Sequence, residues 1–116
     1  MSAENTASTS IDWLTLPEIA ELLDESIGRV HRMLDDRQFA ASRRDGAAKV
    51  PAAFFIEDRP LPSLRGTLFA LHDAGLDDDE SIDWLFSPEE TIGQRPIDAL
   101  LQGRKSEVRR VARTLA

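Results

Sequence analysis

Six basic side chains, Arg29, Arg32, Arg37, Arg43, Arg44 and Lys49, fall between residues 27 and 50 against three acidic ones, Asp35, Asp36 and Asp45, a local net of +3 in a chain whose formal net charge is −7. Arginine makes bidentate bonds to guanine edges or contacts phosphate, so the chemistry of this stretch is recognition of a polyanion rather than bond making. Other chemistries find little support. No Ser/His/Asp set, glycine-rich phosphate loop or paired carboxylate with a cleft is visible, so no catalytic residue is assigned and the chain reads as a non-enzyme. His31 and His72 stand alone and read as surface or packing residues. Asp77-Asp78-Asp79-Glu80 lacks the loop spacing of an EF-hand and reads as the acidic start of a helix, favoured by the helix dipole. Neither a metal nor a cofactor is expected.

The basic residues need elements to hold them. Thr15 followed three residues later by Glu18 fits a capping box, with Pro17 in the first turn where its missing N–H costs nothing. Ile19, Leu22 and Leu23 then mark one apolar stripe. Asp24-Glu25-Ser26 interrupts the run, and Ser26 is a good N-cap for a second helix with Ile27, Val30 and Leu34 apolar and Met33 alongside. At about 100° per residue Arg29, Arg32 and Asp36 then face away from that stripe. Two helices joined this closely form a helix-turn-helix, whose second helix enters the major groove of DNA. Gly28 there leaves room for close approach. Phe39–Arg43 and Ala47–Val50 are extended candidates about Arg44-Asp45-Gly46, and Asp-Gly is a strong hairpin signal. The expected hairpin is a wing, with Arg43, Arg44 and Lys49 at or beside its tip to grip phosphates or a minor groove. The reading surface expected is therefore Ser26, Arg29, Arg32, Arg43, Arg44 and Lys49 on double-stranded DNA.

The order of helix, Ser-capped helix, Phe-led hairpin ending in Lys49-Val50-Pro51, then Ala52-Ala53-Phe54-Phe55, resembles the small winged helix-turn-helix DNA-binding proteins of mycobacteria and corynebacteria. The resemblance continues through Leu64-Arg65-Gly66-Thr67-Leu68, Leu71-His72-Asp73-Ala74-Gly75, Asp83-Trp84-Leu85-Phe86-Ser87-Pro88 and Arg95-Pro96-Ile97-Asp98-Ala99-Leu100, so it covers nearly all of residues 12–116. It implies a non-enzymatic DNA-binding protein; with the basic stretch, the function expected is that of a transcriptional regulator or nucleoid-associated factor. Gly28 stands where helix-turn-helix proteins often carry a polar residue.

The expected fold is mainly α with a small two-stranded antiparallel wing: a winged helix-turn-helix over residues 11–59 and C-terminal helices over 60–116 packed on it in one compact unit, after a Ser/Thr-rich tail over 1–10. Leu64, Leu68 and Leu71, with Phe69 on the flank, make a helical stripe ending at Gly75. Ile82, Trp84, Leu85 and Phe86, then Ile92, Ile97, Leu100 and Leu101, and finally Val108, Val111 and Leu115, supply the rest. The last segment also carries Arg104, Lys105, Arg109, Arg110 and Arg113 against Glu107, which leaves both a second DNA contact and intramolecular pairing open. The run from Trp84 to Val108 resembles the toxin-binding region of some helical bacterial antitoxins, an alternative in which the C-terminal helices bind a protein partner. The absence of Cys fits a reducing compartment, and with no apolar run of about 20 residues and no signal-peptide pattern in 1–10 the expected place is the cytoplasm, without membrane contact. Ser2, Thr6, Ser8, Thr9 and Ser10 invite phosphorylation by a Ser/Thr protein kinase, Thr9 above all, since added negative charge repels DNA. A homodimer would suit palindromic sites.

Overall fold

The structure, a computed structural model, describes residues 11–116; Thr9 and the tail lie outside the described residues. The chain enters on a short strand, β1 (Trp13–Thr15), and passes directly into α1 (Leu16–Leu23). Thr15 makes the switch. Its Oγ1 accepts from the N–H of Glu18 at 3.2 Å while the Glu18 carboxylate accepts from the N–H of Thr15 at 2.7 Å, the reciprocal box expected from their spacing. α1 stops at Asp24, in the left-handed region at φ 56°, and the N–H of Glu25 closes the end on the carbonyl of Ala20 at 2.9 Å. Ser26 then caps α2 (Ile27–Asp35), its Oγ accepting from the N–H of Arg29 at 3.1 Å.

The hairpin follows as β2 (Ser42–Arg44) and β3 (Ala47–Pro51). Its two loop residues, Asp45 and Gly46, have φ of 56° and 81°, so both central positions are left-handed as a type I′ turn requires. Two details differ from expectation. The first strand begins only at Ser42, because Phe39 and Ala40 are drawn into the core, where the Phe39 ring meets Phe55 at 5.1 Å. The sheet has three strands rather than two. β1 pairs antiparallel with the free edge of β3 through Trp13–Pro51, Leu14–Val50 and Thr15–Lys49, giving the order β1-β3-β2.

A tiny hairpin of β4 (Phe55–Ile56) and β5 (Arg59–Pro60) leads to four helices: α3 (Leu64–Asp73), α4 (Asp78–Leu85), α5 (Pro96–Leu101) and α6 (Lys105–Arg113). α3 ends where Gly75 takes φ 99° and the N–H of Leu76 reaches the carbonyl of Leu71 at 3.0 Å. The acidic run at 77–80 does cap a helix: Asp77 and Glu80 form a second reciprocal box, at 2.8 and 2.9 Å. α3 packs on α6 so closely that a Cβ on Gly66 would lie 2.5 Å from Nη2 of Arg109, whose guanidinium donates to the carbonyl of Ser63 at 3.2 Å. Leu101 and Leu115, expected in the apolar stripes, are instead exposed, Leu101 as the last residue of α5 and Leu115 beyond the end of α6.

Ile19, Val30 and Val50 of the first half are buried in the same apolar cluster as Leu64, Leu68, Ile82, Leu85, Ile97 and Val108 of the second. The Phe54 and Phe86 rings bridge them, with centroids 5.7 Å apart.

Candidate nucleic-acid interface

α2 is the element whose placement matters most, and it sits rotated from its sequence expectation. Val30 and Met33 are buried and Leu34 is half-buried, whereas Ile27, assigned to the stripe by periodicity, is 46% exposed. At about 100° per residue this turns the outward face by roughly 50°. Gly28, Arg32 and Asp35 become outermost. His31 and Ile27 lie toward the flank that meets Ala47 and Ala48 of the wing, and Arg29 and Asp36 toward the other. The reason is tertiary: α2 packs on α1, and the burial of Val30 and Met33, not the period of the sequence, sets its rotation.

Arg29 and Arg32 are exposed and make no ion pair among the described residues. Arg32 lies along the open side of Gly28, where an added Cβ would be 3.7 Å from its Nη1. The Ser26 hydroxyl, expected at the interface, is occupied by the helix cap.

On the wing, Arg43, Arg44 and Lys49 come together, but not on one face. Side chains alternate along a strand and cross-strand partners share a side. By the register Ser42–Lys49, Arg43–Ala48 and Arg44–Ala47, Arg44 and Lys49 share a side with Trp13, and Arg43 takes the other. Arg43 donates to the carbonyl of Gly46 at 3.2 Å, Arg44 lies over the Trp13 ring at 4.5 Å, and Lys49 reaches Asp45 at 3.7 Å. Glu18, the acidic neighbour of Lys49, is held below the usual carboxylate range by the hydrogen bonds it shares with Thr15, chiefly the backbone one.

Two charges counted from sequence prove internal. Arg37 is held at φ 61°, with Nη1 2.8 Å from Nε2 of His72 and 3.9 Å from Asp78, and its guanidinium over Phe69 at 5.7 Å. Asp36 is gripped by Arg65, which donates to its carboxylate at 3.1 Å and to its carbonyl at 2.8 Å. The cation that sequence reasoning credited to the surface and the anion that counted against it both serve the joint with the C-terminal helices. The basic C-terminus divides likewise. Arg104 is taken by Glu107 at 2.7 Å and the Ile92 carbonyl, and Arg109 by Ser63, leaving Lys105, Arg110 and Arg113 toward solvent.

Among the described residues, no three His, Cys, Asp or Glu side chains converge so as to hold a metal ion, and no helix is long and apolar enough to cross a membrane. Trp13 was the residue that sequence reasoning missed. Three β-forming residues, Trp13-Leu14-Thr15, are too few to show a period, so only the apolar-aromatic start before a capping box signalled a strand.

Two short helices joined by a three-residue turn, followed by a hairpin whose sheet is completed by the strand before them, define a winged helix-turn-helix protein. Residues 2–55 match the family described as DNA-binding protein Rv2175c, wHTH domain, and residues 61–116 match the Rv2175c C-terminal domain of unknown function. The DNA-binding protein Rv2175c of Mycobacterium tuberculosis is 34% identical over 114 residues, covering 87% of this chain and 78% of the relative. The NMR structure of Rv2175c superposes with a TM-score of 0.83 at 32% identity, covering 92% of this chain and 82% of the other. The chain belongs to the Rv2175c family of DNA-binding proteins.

Proposed function

We propose that this chain is a non-enzymatic, cytoplasmic transcriptional regulator or nucleoid-associated factor that lays α2 in the major groove of duplex DNA and its wing against the flanking backbone. The observation that carries the reading is the outward face of α2, open from Gly28 to Arg32 with a basic hairpin beside it. Arg32 is the base-edge or phosphate reader, Arg29 a phosphate contact from the far flank, and Arg43, Arg44 and Lys49 the wing contacts. Ser26 contributes by fixing where α2 begins. Residues 11–59 form the reading unit and 60–116 its buttress. The Ser/Thr-rich start, Thr9 foremost, is the regulatory segment, where a kinase would add about −1.5 to −2 charge per phosphate and weaken the hold on DNA.

A salt titration of binding to random-sequence and genomic duplexes tests this. Affinity should fall linearly on logarithmic axes with a slope set by the phosphates neutralised. Binding that is absent at low salt, or indifferent to salt, would overturn the assignment.

A further inference from the structure

We infer that the shallow groove between the start of α2 and the wing is an apolar subsite for the 5-methyl groups of thymine, with Ile27 its principal contact. The inference rests on the DNA reading above and deepens it. The groove is lined by Thr15, Leu16 and Pro17 at the start of α1, Ile27 and His31 from α2, and Ala47 and Ala48 from β3, apolar but for Thr15 and His31. Ile27 is 46% exposed, although Val30 and Met33 of the same short helix are buried. Ile27 lies outside the buried core and turns the exposed part of its branched side chain to the groove, where it is free to meet an apolar group of a ligand.

Position and chemistry select the occupant. In the helix-turn-helix docking mode the first residues of the second helix meet base edges, and Ile27 is the first residue of α2. The thymine methyl is the one apolar group that base edges present in the major groove, and apolar side chains recognise it. Gly28 next door has only the ends of Arg32 and Ser26 within 4 Å of where a Cβ would stand, so no side chain there keeps a base edge at a distance. Charge complementarity favours DNA over another apolar surface. Arg32 stands on the outward face of the same helix and Lys49 follows Ala47-Ala48 on the wing strand, while Glu18, the acidic neighbour, turns its carboxylate onto the N–H of Thr15 and Arg29 lies on the far flank. A methyl-reading patch with Arg32 on one side and Lys49 on the other fits an A·T-containing major groove.

The experiment is equilibrium binding of the full chain, and of its Ile27→Ala and Ile27→Ser variants, to two duplexes of equal length. One alternates adenine and thymine; in the other every thymine is replaced by deoxyuridine, which lacks only the 5-methyl. The parent should bind the thymine duplex about fourfold more tightly, the worth of one buried methyl group. Both variants should bind the two duplexes alike while melting at the parent's temperature. Equal binding of the two duplexes by the parent overturns the subsite and leaves the DNA reading standing. A thymine preference that survives in Ile27→Ser also overturns it, as does a parent dimer that the variants convert to monomer in sedimentation, which assigns the groove to a second copy. Failure of the parent to bind either duplex or a guanine–cytosine control overturns both readings.

Discussion

The guanidinium of Arg44 lies 4.5 Å above the ring of Trp13, so a wing arginine rests on the strand that precedes the first helix. A cation over an indole face gains about 0.5–1 kcal/mol at an exposed site. That is enough to orient a side chain and too little to hold it against a phosphate. Trp13 therefore reports on the wing. The chain has two tryptophans, and the Nε1 of the other, Trp84, is buried without a partner, so Trp84→Phe isolates the signal at little cost. In that background Arg44→Ala should shift Trp13 emission, and duplex DNA should change emission more in the parent than in the Arg44→Ala protein. Identical spectra in all four states would show that the contact does not form in solution.

Arginines of one stretch should behave in two ways. Arg32→Ala and Arg43→Ala should each lower the salt slope of DNA binding by about one unit if the lost contact is to phosphate. Arg32→Ala should alter base preference by about 1–3 kcal/mol if it reads a base. Arg37→Ala, which loses His72, Asp78 and Phe69 instead, should leave the slope unchanged and lower the melting temperature. A slope change in Arg37→Ala with no loss of stability would reverse the assignment.

Ser26 separates capping from contact. Ser26→Ala should cost about 1 kcal/mol of stability, the usual value of a lost N-cap. Ser26→Asp should restore the cap and yet weaken DNA binding, because it places an anion at the reading end of α2. Denaturant melts and binding measured on the same two proteins decide the matter, and a stabilised Ser26→Asp that binds like the parent removes this end of α2 from the interface.

Acid should loosen the first helix in a defined direction. The folded-state pKa of Glu18 is depressed by its hydrogen bonds with Thr15, so its contribution to stability is present above the ordinary glutamate pKa and is lost as pH falls through the lower folded value. Glu18→Gln keeps a side chain able to serve the box but cannot titrate. Its stability should show a smaller acid decline than the parent's, measured by urea melts stepped downward from neutral pH. Parallel declines would mean that other carboxylates account for the acid sensitivity.

Phe86 tests whether the two halves fold as one. Its ring packs on Phe54 and is itself covered by Arg95 at 5.6 Å. Phe86→Ala should cost about 3–5 kcal/mol. The same loss should appear in amide exchange of α1 and α2, and truncation after Asp58 should leave a fragment that does not fold. Native exchange protection in such a fragment would establish an independent winged unit.

Much of the architecture was legible because it is local. Thr15 with Glu18, Ser26 with the N–H of Arg29, Asp77 with Glu80, and the Asp45-Gly46 turn each depend on residues within three positions of one another. Residue type and spacing were therefore sufficient for the capped helices, the hairpin and the basic stretch between them.

Tertiary packing decided the rest. Periodicity placed Ile27 in the core, but a pattern of period about 3.6 leaves the centre of a short stripe uncertain by half a residue, and only the neighbours of Val30 and Met33 chose the rotation. Charge counting treated Arg37 as surface and Asp36 as a liability, but His72, Asp78 and Arg65, 29 to 41 residues away, are their partners. β1 became a strand because β3 had an open edge within reach of it. Sequence by itself determined which residues were able to cap, turn and carry charge, since those are properties of a few adjacent groups. Which face of α2 points outward, and which cations are left without an internal partner among the described residues, was decided by contacts between segments far apart in the chain, whose partners no local pattern encodes.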